Sequence, residues 1–101
     1  MNFLKNIFGK STELKTFLDN GALVIDVRTP QEFSAGHVKG SRNIPLNMLQ
    51  NSIEEIKKSG KPVITVCQSG MRSGSAKSFL QSRGIIVING GSWSGLKKLV
   101  G

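Results

Sequence analysis

The sequence predicts an α/β fold, a central and mostly parallel sheet of four to five strands with helices on both faces. Three observations lead there. Ala22-Leu23-Val24-Ile25-Asp26-Val27, Val63-Ile64-Thr65-Val66 and Ile85-Ile86-Val87-Ile88 are short aliphatic runs without strict alternation, the pattern of strands buried on both sides. Segments with apolar residues at helical spacing separate the runs, and that alternation builds parallel sheets. With 101 residues the chain is one small domain, able to bury about 60–65% of its unfolded surface and leaving no room for a second.

Taken in order, Ser11 is the expected cap of a first helix whose Leu14, Phe17 and Leu18 share a face and which stops at Asn20-Gly21. After the first aliphatic run, Thr29-Pro30-Gln31-Glu32 reads as a capping box with proline at the first helical position, opening a short helix that ends near Gly36. Ser41-Arg42-Asn43-Ile44-Pro45 is extended, because Pro45 disfavours helical geometry at Ile44. Leu46, Leu49, Ile53 and Ile56 return to helical spacing, closed by Ser59-Gly60. Ala76, Phe79 and Leu80 mark the inner face of a helix that starts near Ser73 and ends at Gly84. Behind the last run, Gly90-Gly91 is expected to turn the chain into an amphipathic segment carrying Trp93, Leu96 and Val100.

Composition narrows the function. At 38% hydrophobic residues the chain is an ordinary globular protein. A single cysteine excludes an internal disulfide and a cysteine-cluster zinc or iron–sulfur site, so no metal and no cofactor are expected. A lone thiol suits a reducing compartment, and the expected location is cytoplasmic. No apolar stretch reaches the roughly 18 residues that span a bilayer, and the first ten residues lack the long apolar core of a signal peptide. Residues 1–10 are read as an N-terminal extension, in which Phe3, Leu4, Ile7 and Phe8 form an apolar patch beside Lys5 and Lys10. That patch is expected to pack on the domain or fray rather than dock a membrane.

The net charge of +8 is uneven: all six acids lie in the first 55 residues, and the remaining 46 carry eight bases and no acid. Such a field concentrates anions. No basic run exceeds two residues and no aromatics interleave with the bases, so nucleic acid is not an expected partner. An anionic small substrate fits better, because the basic half holds the only thiol. Nothing in the sequence calls for an oligomer, and a monomer is expected.

That thiol, Cys67, ends a strand pattern and begins the loop Cys67-Gln68-Ser69-Gly70-Met71-Arg72-Ser73. Ser69 and Gly70 are small enough for the backbone to curl with its N–H groups inward, a nest for an anion. The following helix adds its positive end. With Arg72 beside them, these features can move a thiol from about 8.5 into the range of roughly 3.5–7.5 found in activated cysteines. A buried structural cysteine is the competing reading, and the polarity of the loop argues against it. Asp26 and Arg28, at the end of another strand, are expected to support the site through a salt bridge and backbone hydrogen bonds rather than to react.

Three stretches resemble the rhodanese family in its single-domain form. Asp26-Val27-Arg28 with Glu32-Phe33 and Gly36-His37-Val38-Lys39-Gly40-Ser41-Arg42-Asn43-Ile44-Pro45 is similar to its N-terminal signature, the Cys67 loop to its active-site loop, and Asn89-Gly90-Gly91-Ser92-Trp93 to its C-terminal signature. The resemblance covers residues 12–100 and implies a rhodanese-like domain over residues 11–101. It implies that Cys67 is a catalytic nucleophile taking sulfane sulfur from an anionic donor such as thiosulfate and passing it, as a persulfide, to a thiol or cyanide acceptor. Gln68, Ser69, Gly70, Met71, Arg72 and Ser73 become the candidate substrate-binding residues, their N–H groups cradling the persulfide while Arg72 steadies the anionic donor and leaving group. Ser69 and Met71 are open between selecting substrate and building the turn. His37 is expected to support the fold near the site, since no acid or nucleophile at matching spacing accompanies it. Trp93 is expected to anchor the core.

Two other functions compete. The chain could be a sulfur carrier or binding module whose donor or acceptor is another protein, with Met71 and the basic half as a docking surface. It could also be a phosphatase or arsenate reductase, since related folds use a cysteine–arginine loop for oxyanions. Four residues separate Cys67 from Arg72, a tighter ring than those phosphatase loops form, and it suits one sulfur atom better than a phosphoryl group.

Overall fold

The computed structural model describes residues 3–101, with side chains from residue 10 onward. The apolar patch expected from Phe3, Leu4, Ile7 and Phe8 therefore lies outside the described side chains. Helix α1 (Phe3–Asp19) leads into β1 (Leu23–Asp26), α2 (Pro30–Ala35) and the two-residue β2 (Arg42–Asn43). A 3-10 helix (Leu46–Ser52) runs into α3 (Ile53–Ser59), followed by β3 (Val63–Cys67), α4 (Met71–Ser82), β4 (Val87–Ser92) and α5 (Trp93–Val100). No described helix is long and apolar enough to cross a membrane.

The four strands form one sheet in the order β2-β1-β3-β4, every pair parallel. The chain steps outward from β1 to β2, then returns to place β3 on the other side of β1. That reversal opens a crevice beyond the carboxyl ends of β1 and β3, where ligands of open α/β sheets bind. Asp26 ends β1 and Cys67 ends β3.

Alternation along β3 divides the core into two layers. Val63 and Cys67 join Ile25, Val27, Leu49, Ile56, Ala76 and Leu80 on the face covered by α3 and α4. Ile64 and Val66 join Leu14, Val38, Ile88 and Leu96 on the face covered by α1 and α5. Every residue of β3 is buried, and each of its aliphatic side chains contributes about 1.5–3 kcal/mol relative to an exposed position.

Four local expectations change. Ser11 does not cap a helix, because α1 begins at Phe3 and runs without a break past residue 10. Leu46 and Leu49, three apart, sit in the 3-10 helix, while Ile53 and Ile56 lie in α3. Helix α4 starts at Met71 rather than near Ser73, since Gly70 adopts a left-handed φ of 100° that turns the chain directly into it. The last strand is Val87–Ser92 rather than residues 85–88. The Ile85 N–H still donates to the Leu80 carbonyl at 3.2 Å, which keeps Ile85 tied to the end of α4. Gly90 and Gly91 therefore lie within β4, not in a turn after it. Thr65 pairs with Asn89 and Cys67 with Ser92, so β4 carries one extra residue there, a bulge with Gly91 at φ 80°.

Candidate active site

Cys67 is fully buried at the end of β3. Its sulfur accepts the Gly70 N–H at 3.0 Å and the Ser73 N–H at 3.3 Å, and the Ser73 hydroxyl lies 3.3 Å away. Burial alone pushes the thiol up. The Ser73 hydroxyl and the N–H groups of Ser73, Gly70 and Ser69 outweigh it, and Cys67 falls below the ordinary cysteine value. The start of α4 is held in turn by Thr65, whose buried hydroxyl donates to the Ser73 carbonyl at 2.9 Å. Gln68, Ser69 and Met71 are exposed around the loop, Met71 at 80% of its surface.

Arg72 faces the first turn of α2. Its Nη1 and Nη2 donate to the two carboxylate oxygens of Glu32 at 2.8 and 3.0 Å, a bidentate pair. Glu32 also completes the capping box with Thr29, accepting its N–H at 3.0 Å while the Thr29 hydroxyl accepts the Glu32 N–H at 3.2 Å. The loop is thereby tied to α2 across 40 residues of sequence.

Asp26 and Arg28 form a buried ion pair at 2.8 Å, with the Arg28 Nε also donating to Asp26 at 2.9 Å. The same guanidinium donates to the Gly36 carbonyl at 2.7 Å and lies 4.6 Å from the centre of the Trp93 ring. Trp93, packed against the α1–α5 side of the core, donates its Nε1 to Gln68 at 3.2 Å, so its ring touches both core and loop. His37 is exposed, with its ring stacked on Phe33 at 3.7 Å and its Nδ1 donating to the Phe33 carbonyl at 2.7 Å. The structure thus gathers Cys67 and the loop, draws Arg72 to Glu32, and engages His37 with α2 instead of the loop.

Two contributors carried no site role in the sequence reading. Glu32 was visible as a capping residue, not as the partner of Arg72. Asn89, within the C-terminal signature, reaches across from β4 to the loop. Its Nδ2 donates to the Gly70 carbonyl at 3.0 Å, and its Oδ1 accepts from the Ser73 hydroxyl at 2.7 Å. A separate cavity of about 450 Å³, between Phe17, Ile56, Pro62 and Ile85, lies at the opposite end of the strands and shares no residue with the loop.

A family model, the rhodanese-like domain, matches residues 10–98. The chain belongs to the rhodanese family. Among rhodanese relatives, the uncharacterized protein YqhL of Bacillus subtilis is 44% identical over 79 residues, which cover 73% of this chain and 62% of YqhL. The thiosulfate sulfurtransferase GlpE of Ectopseudomonas mendocina is 38% identical over 65 residues, covering 64% of this chain and 59% of GlpE. The chain thus spans about six-tenths of the length of these curated relatives. The human single-domain sulfurtransferase TSTD1 superposes with a TM-score of 0.68 at 29% identity, covering 86% of this chain and 92% of that one. The four-stranded parallel sheet with helices on both faces is the rhodanese-like fold.

Proposed function

We propose that this chain is a sulfurtransferase working in a reducing, cytoplasmic setting through a persulfide on Cys67. The thiolate attacks the outer sulfur of a donor such as thiosulfate. A new S–S bond forms to Cys67, the old one breaks, and sulfite departs with its electron pair. A thiolate or cyanide then attacks the outer sulfur of the persulfide and restores the Cys67 thiolate. The observation that carries this reading is the set of donors on Cys67 Sγ from Gly70 and Ser73, which favours the anion the first step needs.

In this reading Gln68 to Ser73 line the donor, with N–H groups in direct contact. Arg72, whose two terminal nitrogens are held by Glu32, clamps the loop and adds positive potential rather than gripping the donor. The same engagement weighs against phosphoryl transfer, which needs a guanidinium aimed at the oxyanion. The 80% exposure of Met71 favours a second reading, in which a partner protein delivers or collects the sulfur at this lip.

Incubation with thiosulfate should add about 32 Da, one sulfur atom, to Cys67. Cyanide should discharge it with turnover, and Cys67→Ser should lose adduct and turnover together. Absence of any adduct from thiosulfate, a polysulfide or a persulfide donor would sink the proposal. Turnover only when a partner protein is supplied would favour the carrier reading.

A further inference from the structure

One side chain reaches both the loop and the first turn of α4. The Oδ1 of Asn89 accepts the Gly91 N–H at 2.9 Å as well as the Ser73 hydroxyl at 2.7 Å, while its Nδ2 faces the Gly70 carbonyl. Two donors on one side and a carbonyl on the other settle which way the amide points. Ser73 is fully buried, with its hydroxyl between Asn89 and the Cys67 sulfur. A hydroxyl has one proton to donate. While that proton lies on Asn89, Ser73 turns a lone pair toward the sulfur. That arrangement suits a thiol S–H and gives nothing to a thiolate.

We propose that Asn89 is a positioning residue for Cys67, competing with its sulfur for the single proton of the Ser73 hydroxyl. When the sulfur is neutral, the proton rests on Asn89. When Cys67 loses its own proton to solvent, the hydroxyl rotates and donates to the thiolate, leaving the Gly91 N–H on Asn89. In a persulfide the charge sits on the outer sulfur and Sγ is neutral again, so the hydroxyl returns. Asn89 thereby favours the resting thiol and the sulfur-loaded state over the bare thiolate between them. This rests on the reading of Cys67 as the reactive thiol. Of the elements packed around this end of β3, β1 and the residues after it bring the Asp26–Arg28 pair, α2 brings Glu32, α4 brings Arg72 and Lys77, α5 brings Lys97 and Lys98, and β4 brings no charge.

The test is the pH profile of iodoacetamide alkylation, read without ambiguity because Cys67 is the only cysteine. Ser73→Ala should raise the midpoint by about one pH unit, having lost a donor to a charged acceptor. Asn89→Ala should lower it, by freeing the hydroxyl for the sulfur. Asn89→Asp should raise it, by holding the proton harder. The Asn89→Ala shift should largely collapse when Ser73 is alanine, whereas the Asn89→Asp rise keeps the part that its negative charge exerts directly on the thiolate. A residue that merely braces the loop would behave otherwise, since slack N–H groups raise the midpoint in both variants. A rise in both, no shift in Asn89→Ala, or an Asn89→Ala shift that survives without the hydroxyl would overturn the proposal. Asn89→Leu, which fills similar volume without an acceptor, replaces the alanine variant should that fail to fold. Alkylation needs no sulfur donor. Opposite-signed shifts with no sulfur adduct from any of the three donor classes would keep this proposal and remove the sulfur-transfer reading, and the reverse result would remove this proposal alone.

Discussion

At the residue scale, the Glu32 carboxylate accepts from the Thr29 N–H, the Thr29 hydroxyl and both terminal nitrogens of Arg72, joining the first turn of α2 to that of α4. Arg72 contributes most, with the Thr29 N–H adding to it, and together they overcome burial and hold Glu32 down at about 2 from the usual 4.5. A carboxylate depressed on folding stabilises the protein fully above its unfolded value, and the stabilisation fades as pH falls through the folded one. Wild type should therefore melt above Glu32→Gln at neutral pH, with the gap closing between about 4.5 and about 2. Melting curves by circular dichroism across that range test this, and a gap unchanged down to pH 2 would refute it. The Cys67 loop was legible because its chemistry is contiguous in sequence. The Glu32–Arg72 pair spans 40 residues and Ser73–Asn89 spans 16, and nothing in local spacing records which polar side chains the sheet brings together.

Among the elements, β4 departs furthest from its sequence pattern. Its aliphatic run suggested residues 85–88, but the strand continues through a glycine pair, because the bulge lets the chain follow β3 while Asn89 meets the loop. Gly90 explains why a side chain is excluded: a Cβ there would stand 2.6 Å from Ile64 and 2.9 Å from Val66, inside the packed α1–α5 face. Gly90→Ala should destabilise the fold by about 1–3 kcal/mol, the usual cost of overpacking. A denaturant midpoint equal to wild type would show that the neighbours can yield. That β1, β3 and β4 are strands of a parallel sheet was readable from their aliphatic runs, since burial on both faces leaves a strong mark. Strand ends were not, because hydrogen bonds to the preceding helix and a bulge decide them.

For the whole molecule, the charge distribution belongs with the sheet topology. The acid-free residues 56–101 include β3, the loop and α4, so part of their positive field lies at the crevice beyond β1 and β3, while Lys57 and Lys61 line the cavity at the opposite end. If that field guides a dianionic donor, kcat/KM for thiosulfate should fall several-fold as ionic strength rises past 0.1 M, where screening acts over about 10 Å. A value indifferent to salt would remove the steering role. Helix α4 also begins without a side-chain cap, since Gly70 has none to offer. The atom that receives the N–H of its third residue is the Cys67 sulfur. The reactive atom is therefore a structural part of the helix start, and any change in its chemical state is felt by the element packed over half the core. Alkylation, oxidation or the arrival of a second sulfur alters how α4 is held as well as what the site can do. Serine at position 67 keeps an acceptor there, where alanine would leave the helix end bare.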